Sequence, residues 1–482
     1  MNTATKLLLA GSIAAFSFAH AQISNFKHVV IIFQENRTPD NLFQGLCVNA
    51  TDCSTSPTGS QYNIETKNWA DVNAPTGVTQ PLPVPLAGTY DLNHMHSSWL
   101  VQCDQGSRSG CKMDGAGNVP CGPPLSCKKY PHPQFRFVDN STGILNSYIA
   151  LVKQYGWANY MFQTNQGPSF PAHQFIFGGT SAPLVNSSVN DDALGIFASE
   201  NMMGGKGYAG CIAPANFTVQ LIDTNGERPN NKIYPCLEHQ TMADLFDNAV
   251  PAISWKYYTP GPGSIWTAPN AIRHICQPNL PTGGVCTGPD WVNNVDLLPA
   301  DVLSDIQSCK LANVSWVIPT AQKSDHAGTN KGGGPAWVAS IVNSIGINTA
   351  CDGAGYWKDT AILIAWDDWG GWYDHEAPAF LAPPQGDYQL GFRVPLIVVS
   401  AYTSAGYVNN DRLDFGSMLR FVEQNFSVGD GALGFADARA AFDLKPFFNL
   451  NQTARPFHMI PARETAAQIL RDKTPQSGPD DD

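Results

Sequence analysis

The 482-residue sequence has few charged residues and no cluster of positive charge. Asp, Glu, Lys and Arg together make up 14% of the chain, and 28 basic residues are outnumbered by 40 acidic ones, which gives a net charge of −12. Binding to nucleic acid or to anionic membranes depends on grouped Lys and Arg residues. The composition therefore argues against nucleic acid as a partner and against steady adsorption to anionic membranes.

Several motifs of well-known protein classes are also absent. No two cysteines have the CxxC spacing of a structural zinc site, and no histidines have the HExxH spacing of a zinc protease. The GxSxG elbow of an α/β-hydrolase is missing, and the segment GTNKGGG does not have the order of a phosphate-binding P-loop. These absences argue against zinc-finger, zincin, α/β-hydrolase and nucleotide-binding functions.

Beyond the N-terminus, no stretch is long and apolar enough to cross a bilayer. The first residues, MNTATKLLLAGSIAAFSFAHAQ, combine Lys6, a short apolar core and the small-residue sequence Ala19-His20-Ala21. This pattern is typical of a secretory signal peptide. We therefore predict that residues 1–21 are removed and that the protein is secreted or periplasmic, without a stable membrane anchor.

The twelve cysteines are even in number. In an exported protein they indicate disulfides rather than a metal site or free thiols. Three close pairs are candidates for bridges that staple loops: Cys47/Cys53, Cys121/Cys127 and Cys276/Cys286. The spacing leaves the full connectivity open.

Apolar runs alternate along the chain with segments of helical spacing. Runs typical of buried strands occur at residues 28–33, 253–258, 313–319, 360–365 and 394–400. Helical spacing occurs at residues 143–155, 241–250, 336–346 and 416–424. The alternation predicts an α/β fold with a mostly parallel β-sheet sandwiched by helices.

Segments rich in Gly, Pro, Ser and Thr indicate where the loops lie. We expect a single catalytic domain over residues 22–460, with disulfide-pinned loop insertions around residues 46–135 and 260–300. Residues 461–482 form a C-terminal tail, and residues 477–482, which end in three aspartates, are expected to be disordered.

Two of the predicted strands end in pairs of oxygen ligands. Asp367 and Asp368 directly follow the run that begins at residue 360, and Glu35 and Asn36 follow the run at 28–33. Adjacent carboxylates repel each other unless a cation lies between them. A capping role would explain one such pair, but two pairs predict a site for a hard divalent cation such as Mg²⁺, Ca²⁺ or Mn²⁺.

Ser169 and several histidines are candidates for the chemistry at such a site. Ser169 lies in GPSFP, where Gly and Pro favour a tight loop that opens a helix, and a helix N-terminus attracts phosphate. Simple turn chemistry is the alternative explanation for this serine. His326 follows a predicted strand and precedes a glycine run, which is where an active-site loop belongs in an α/β sheet.

Seven segments of the chain resemble, in order, those of one known family. They are HVVIIFQENRTPDNLFQG, DLNHMHSSW, GPSFPAHQF, ISWKYY, SDHAG, WDDWGGWYDHEAP and GFRVPLIVVSAY. Together they resemble the phosphoesterase family that unites bacterial and fungal phospholipases C with secreted acid phosphatases. The resemblance implies a fold similar to the alkaline phosphatase and arylsulfatase superfamily.

The resemblance also implies roles for individual residues. One divalent metal ion (Ca, Mg, Mn, Zn or Fe) is expected on five ligands: Glu35, Asn36, Ser169, Asp367 and Asp368. Ser169 also matches the nucleophile of the family. Three histidines match residues that contact phosphate or act as the acid: His94, His274 and His326. Asp374 and His375 are expected to support the loop, and no role is assigned to His173.

Two segments distinguish between the branches of the family. GPSFPAH and DDWGG resemble the acid phosphatases, whereas phospholipases C have sequences closer to GPTNPNR and DExGG. The main hypothesis is therefore a broad-specificity acid phosphatase that acts on small phosphate esters through a phosphoserine. The alternatives are a phospholipase C that cleaves phospholipid head groups and a non-catalytic secreted binding protein. Five tryptophans form either an apolar rim for lipid or part of the core: Trp99, Trp157, Trp266, Trp369 and Trp372.

Overall fold

The computed structural model describes residues 24–476 except residues 89, 106–109, 123–126, 202–208, 225, 329–330 and 382–387. The predicted signal peptide and the acidic end of the tail, residues 477–482, lie outside the described residues. The strands of the described chain are β1 His28–Gln34, β2 Trp69–Ala70, β3 Val78–Thr79, β4 Leu82–Val84, β5 Arg136–Val138, β6 Gly156–Phe162, β7 Phe197–Asn201, β8 Val219–Asp223, β9 Gly226–Ile233, β10 Trp255–Tyr258, β11 Val295–Asp296, β12 Val314–Val317, β13 Thr360–Trp366, β14 Leu396–Ser400 and β15 Tyr407–Asp414.

The α-helices of the described chain are mostly short. They are α1 Pro39–Leu42, α2 His96–Cys103, α3 Asn146–Gln154, α4 Ser169–Gly178, α5 Asp191–Leu194, α6 Met242–Asp247, α7 Arg273–Cys276, α8 Pro289–Asn294, α9 Asp301–Gln307, α10 Gly334–Ile347, α11 Phe415–Phe426, α12 Ala436–Arg439 and α13 Ala466–Arg471. Within the described part of the chain, no helix has the length and apolar character needed to span a bilayer.

An eight-stranded sheet forms the centre of the structure, in the order β11-β10-β12-β1-β13-β14-β6-β15. Strand β14 runs antiparallel to both of its neighbours, β13 and β6, and the other neighbouring strands pair in parallel. The prediction of an α/β fold with a mostly parallel sheet is therefore confirmed. The apolar run that became β14 was predicted as a strand, but such a run does not reveal its direction.

Helices cover both faces of this sheet. Trp316 of β12 pairs with Ile31 of β1, which pairs with Leu363 of β13, so these three side chains share one face. On that face, Trp316 packs against Phe177 of α4 at a ring distance of 5.2 Å. Trp366, three residues after Leu363, lies on the other face and packs against α3 through Tyr148 at 5.2 Å. Strands enclosed in this way are continuously apolar, which is why the sequence reveals them.

All twelve cysteines form disulfides. The three predicted close pairs are confirmed, and the remaining bridges are Cys103–Cys111, Cys211–Cys236 and Cys309–Cys351. Three bridges, Cys47–Cys53, Cys103–Cys111 and Cys121–Cys127, lie in the insertion around residues 46–135, and Cys276–Cys286 lies in the insertion around residues 260–300.

The first insertion is more ordered than its composition suggests. A loop insertion was expected around residues 46–135, yet its first part, residues 46–90, contains β2, β3 and β4, and Asn63 and Trp69 are completely buried. Trp69 stacks on Tyr373 at a ring distance of 4.5 Å. The insertion is thus packed against the loop that follows β13, where the candidate site lies.

Candidate active site

The two predicted ligand pairs meet at the carboxyl ends of β1 and β13. Gln34 pairs with Trp366 in the parallel register, so that Glu35 and Asp367 leave the sheet side by side. The backbone N–H of Asn36 donates to Asp367 Oδ1 at 3.0 Å, and all four predicted ligands at these strand ends, Asp368 included, are completely buried. Neighbouring parallel strands end at one edge of a sheet, and the site forms at that edge.

A glycine allows the two strand ends to approach each other closely. Gly370 has φ +64°, and a Cβ at this position would lie 2.5 Å from the carbonyl oxygen of Asn36. The N–H of Gly370 donates to Asp368 Oδ1 at 2.7 Å, which fixes that carboxylate within the turn. The sequence DDWGG is therefore suited to folding a carboxylate pair back onto the end of β1.

Ser169 is the first residue of α4 and lies against the second carboxylate. Pro168, with an extended backbone, precedes the helix and sets the point at which it begins. The Ser169 hydroxyl donates to Asp368 Oδ2 at 3.3 Å, and the side chain is completely buried. The position at the helix N-terminus favours negative charge beside this oxygen.

His94 and His326 lie together beside the carboxylates. His94 Nδ1 donates to the carbonyl oxygen of Leu92 at 2.8 Å, so its Nε2 accepts a hydrogen bond from Asn36 Nδ2 at 2.9 Å. His326 Nδ1 donates to the carbonyl oxygen of Ala327 at 2.7 Å. The two imidazole rings are 5.9 Å apart, and both residues are buried.

His274 is not brought to this cluster. Its Nδ1 lies 2.7 Å from Glu238 and its Nε2 lies 3.0 Å from Asp244. Although burial lowers the pKa of His274, hydrogen bonds to these two carboxylates outweigh it and raise the pKa to about 10. His239, next to Glu238, packs against Gly178 at the end of α4 opposite Ser169. His274 was predicted to contact phosphate, but these contacts hold its ring away from Ser169 and the carboxylates at the strand ends.

His173, which had no assigned role, lies inside the cluster. It follows Ser169 by one helical turn of α4, so both side chains lie on the same face of the helix. Its Nε2 is 3.4 Å from Glu35 Oε1 and 3.8 Å from Asp367 Oδ2. Burial lowers the pKa of His173 to about 4, against the opposing effect of Asp367, so the ring is neutral. The i, i+4 spacing from Ser169 is the sequence signal for this residue.

The donor atoms of this cluster fit a divalent cation. One ligand atom each from Glu35, His173 and Asp367 lies within 4.8 Å of the other two. In the described part of the chain, Asn36 Oδ1, Asp367 Oδ2 and His173 Nε2 are buried without a hydrogen-bond partner. Buried polar atoms are normally paired, and a cation would satisfy all three. The imidazole nitrogen means that the donor set is not restricted to oxygen.

Arg37 connects the loops that carry these residues. Its Nε donates to the carbonyl oxygen of Asp325 at 2.8 Å, and its backbone N–H donates to the carbonyl oxygen of Asp368 at 3.0 Å. The guanidinium lies over the ring of Trp372, 5.1 Å from its centroid. Burial lowers the pKa of Arg37 to about 10. Arg37, the third residue of the ENR sequence, thus links the ends of β1 and β13 to the loop that carries His326.

Asp374 and His375 form part of a supporting network, as expected. Asp374 accepts two hydrogen bonds from Arg393, each at 3.0 Å, and His375 Nδ1 lies 2.7 Å from Asp40 Oδ2. Arg393 also donates to the carbonyl oxygens of Asn63 and Asn159. The carboxylates and imidazole of this group are thus already paired with one another and with arginine, which fits a role as support for the loop.

The five tryptophans that could have formed a lipid-binding rim are all buried: Trp99, Trp157, Trp266, Trp369 and Trp372. A cavity of about 650 Å³ lies beside α4 and is lined by Pro171 and Phe175, whereas Ser169 does not line it. The helical spacing places these two residues on the face of α4 opposite Ser169 and His173. The apolar rim expected for a lipid substrate is therefore not formed by these tryptophans.

Comparisons with known proteins identify relatives of the chain. It is 29% identical over 263 residues to the non-hemolytic phospholipase C of Pseudomonas aeruginosa, which covers 48% of this chain and 34% of that protein. It is 26% identical over 230 residues to phospholipase C A of Mycobacterium tuberculosis, covering 40% and 41% of the two chains. The hemolytic phospholipase C of P. aeruginosa matches over 454 residues at 22% identity, covering 84% and 53%. The chain thus spans between about a third and about half of the length of these relatives.

A solved structure of an alkaline phosphatase superfamily protein from Vibrio parahaemolyticus overlaps with 61% of this chain and 64% of its own, at 10% identity and a TM-score of 0.32. The model of the phosphoesterase family matches residues 26–429. This match includes both strand ends, the Ser169 helix and the histidine loops. The chain therefore belongs to the phosphoesterase family.

Proposed function

We propose that this protein is an exported, metal-dependent hydrolase of phosphoric esters that acts mainly on phosphomonoesters. The observation that carries the proposal is the position of Ser169. Its hydroxyl lies at a helix N-terminus, 3.3 Å from Asp368, beside a cation-binding group and the paired rings of His94 and His326. A nucleophile, a metal and an electropositive helix end in one buried site are the requirements of phosphoryl transfer.

The residues that would hold the metal are Glu35, Asn36, His173, Asp367 and Asp368, together with the hydroxyl of Ser169. When bound, a divalent ion makes a ligated hydroxyl more acidic and polarises a phosphoryl oxygen. The nitrogen donor of His173 favours Mn²⁺, Fe²⁺ or Zn²⁺ over Ca²⁺ and Mg²⁺, which prefer an all-oxygen environment. The sequence alone favoured a hard cation because it offered oxygen ligands only.

Ser169, His94 and His326 have different roles in the proposed reaction. The Ser169 hydroxyl passes its proton to Asp368 as its oxygen attacks phosphorus in line, so that a new O–P bond forms while the bond to the alcohol breaks. His94 holds Asn36 through Nε2, and His326, when it is protonated on both ring nitrogens, donates the Nε2 proton to the departing alkoxide. A water molecule then gives a proton to His326 and attacks the phosphoserine, the bond between phosphorus and the Ser169 oxygen breaks, and Asp368 returns the proton to that oxygen as phosphate leaves.

A preference for monoesters is supported by the acid-phosphatase form of the GPSFPAH and DDWGG segments and by the burial of the tryptophans. Phospholipase C activity is the second candidate, because the relatives of the chain carry that name. Export is supported by the N-terminal pattern and the six disulfides. Hydrolysis of p-nitrophenyl phosphate and p-nitrophenyl phosphorylcholine, measured side by side, distinguishes the two substrates.

Substitution of the nucleophile tests the reaction itself. We expect Ser169→Ala to reduce turnover of either substrate to below a few per cent of wild type without loss of the fold. The matched control is Ser315→Ala, which removes another completely buried serine hydroxyl, in the middle of β12. Turnover by Ser169→Ala close to that of Ser315→Ala would show that Ser169 is not the nucleophile.

A further inference from the structure

We propose that the indole N–H of Trp266 donates a hydrogen bond to the phosphoryl group of the bound substrate, which makes Trp266 a further catalytic residue. This inference rests on the proposed phosphoesterase function. It assigns a purpose to a side chain that lies in the second loop insertion, between β10 and the short helical turn at Ala268–Ala271.

The position of Trp266 is the first observation. Its ring centroid lies 6.0 Å from that of His326, at an interplanar angle of 35°. His326 in turn lies 5.9 Å from His94, which holds Asn36. The rings of His94, His326 and Trp266 therefore follow one another, and His94 contacts Asn36 at the end of β1.

The second observation is that Trp266 is fixed to the same side of the site as His173. Its carbonyl oxygen accepts a hydrogen bond from the hydroxyl of Tyr257 at 2.9 Å, and its backbone N–H donates to Ser264 Oγ at 3.0 Å. The Tyr257 hydroxyl also lies 3.5 Å from His173 Nδ1. One tyrosine at the end of β10 thus borders both the cation-binding group and the backbone of Trp266.

The third observation concerns the indole nitrogen. Trp266 is completely buried, and Nε1 has no hydrogen-bond partner among the described residues. Buried indole N–H groups usually find an acceptor, as Trp366 does on Asp325. Trp99, Trp337 and Trp372 share this lack of a partner, so the missing partner alone does not define a site. Trp266 differs from them in its contact with His326 and its link through Tyr257 to His173.

A phosphoryl group supplies the acceptor that is missing. It presents several oxygens, and their negative charge is redistributed as the bond to the alcohol breaks. A fixed neutral donor in a buried site stabilises this charge. Because an indole N–H does not titrate, its contribution is expected to be the same across the pH range, unlike that of a histidine.

The test compares Trp266→Phe with Trp337→Phe. Both substitutions keep an aromatic ring and remove a buried indole donor without a partner, but Trp337 lies on α10 beside a separate cavity of about 290 Å³. We expect Trp266→Phe to lower kcat/KM for p-nitrophenyl phosphate by about 10- to 100-fold at every pH tested. Calorimetric binding of inorganic phosphate, with the activating metal present, should weaken in Trp266→Phe and stay unchanged in Trp337→Phe.

Crystals of the wild-type protein soaked with orthovanadate provide a measurement that does not depend on the folding of a variant. We expect Trp266 Nε1 within hydrogen-bond distance of a vanadate oxygen. If Nε1 contacts none of them, or if Trp266→Phe binds phosphate as tightly as wild type, the inference is wrong although the enzyme remains a phosphoesterase. A wild-type protein that binds phosphate but hydrolyses no phosphate ester would overturn the proposed function and the catalytic role of Trp266, and only the contact of Nε1 with phosphate would remain to be measured. Absence of phosphate binding by wild type would overturn both.

Discussion

Asn36 donates a hydrogen bond from Nδ2 to Nε2 of His94, and this bond determines which way the amide faces. With its nitrogen bound to the histidine, Asn36 presents Oδ1, which has no other partner in the described chain, for a cation. His94, predicted to contact phosphate, thus also orients a predicted metal ligand.

We expect His94→Ala to weaken metal binding as well as turnover. Loss of the ring frees the Asn36 amide to rotate, and loss of such outer partners typically lowers metal affinity about 10- to 100-fold. Titration of the metal-free protein with Mn²⁺ by calorimetry measures the affinity. His458→Ala, which removes an exposed histidine, is the control. Unchanged Mn²⁺ affinity in His94→Ala would limit the role of His94 to the substrate.

His173→Gln is expected to change which metal the protein prefers. The substitution replaces the imidazole nitrogen with an amide, so binding of Zn²⁺ and Mn²⁺ should weaken more than binding of Ca²⁺ and Mg²⁺. The measurement is the shift in Tm with each ion in turn. His239→Gln, at the other end of α4, changes a second buried histidine and should leave the order of metals unaltered. If His173→Gln reduced the Tm shift equally for all four ions, the imidazole nitrogen of His173 would not be a metal ligand.

Asp367→Asn is expected to stabilise the metal-free protein while abolishing stabilisation by metal. Glu35, Asp367 and Asp368 are buried close together, so removing one negative charge relieves repulsion by about 1–2 kcal/mol in chelator. An amide oxygen can still accept the hydrogen bond from Asn36 N. Wild type should gain about 2.7 kcal/mol at a metal concentration 100 times the Kd.

The control for this experiment is Asp374→Asn, since Asp374 is a buried carboxylate paired with Arg393. Breaking such a pair costs about 3–5 kcal/mol, with or without metal. Urea unfolding in chelator and in metal measures both variants. A loss of stability of Asp367→Asn in chelator would show that the three carboxylates do not repel one another in the metal-free protein.

Asp414 predicts a specific pH dependence of stability. Burial raises its pKa from 3.8 to about 6, although hydrogen bonds from Thr164 and Ser417 act against the shift. The folded protein therefore binds more protons than the unfolded chain between these values, so this group makes the free energy of unfolding fall as pH rises from about 4 to about 6. Above that window its contribution is constant and unfavourable.

Asp414→Asn should remove this part of the pH dependence, because asparagine caps the N-terminus of α11 equally well but does not titrate. The free energy of unfolding of the variant minus that of wild type is expected to increase with pH. We expect this difference to be about 2–3 kcal/mol larger at pH 7 than at pH 4. Urea unfolding at intervals between these pH values measures the difference. A constant difference across the range would contradict the raised pKa.

The sequence predicts the position of the candidate site where that position follows from the ends of two strands. The runs before Glu35 and Asp367 are buried on both sides, so their pattern locates two strand ends, and parallel neighbours end at the same edge. The direction of β14 was not predictable, because a strand between β13 and β6 has the same apolar pattern whichever way it runs.

The surroundings of His173 and His274 could not be predicted from the sequence. His173 reaches Glu35 only because α4 packs across the carboxyl end of β1, which depends on the whole sheet. His274 was expected to match a family histidine, yet Glu238 and Asp244 hold its ring through contacts that no local pattern reveals. Both outcomes depend on tertiary packing rather than on neighbouring residues.

The pairing of β1 with β13 joins residues that are far apart in the chain. The proposed cation-binding group begins at Glu35 and ends at Asp368, while Ser169 and His326 come from between them. Four of the disulfides, by contrast, close loops with separations of 6, 8, 6 and 10 residues. No proteolytic fragment that lacks either end of this long span can contain the complete site, even if most of its local cross-links are intact.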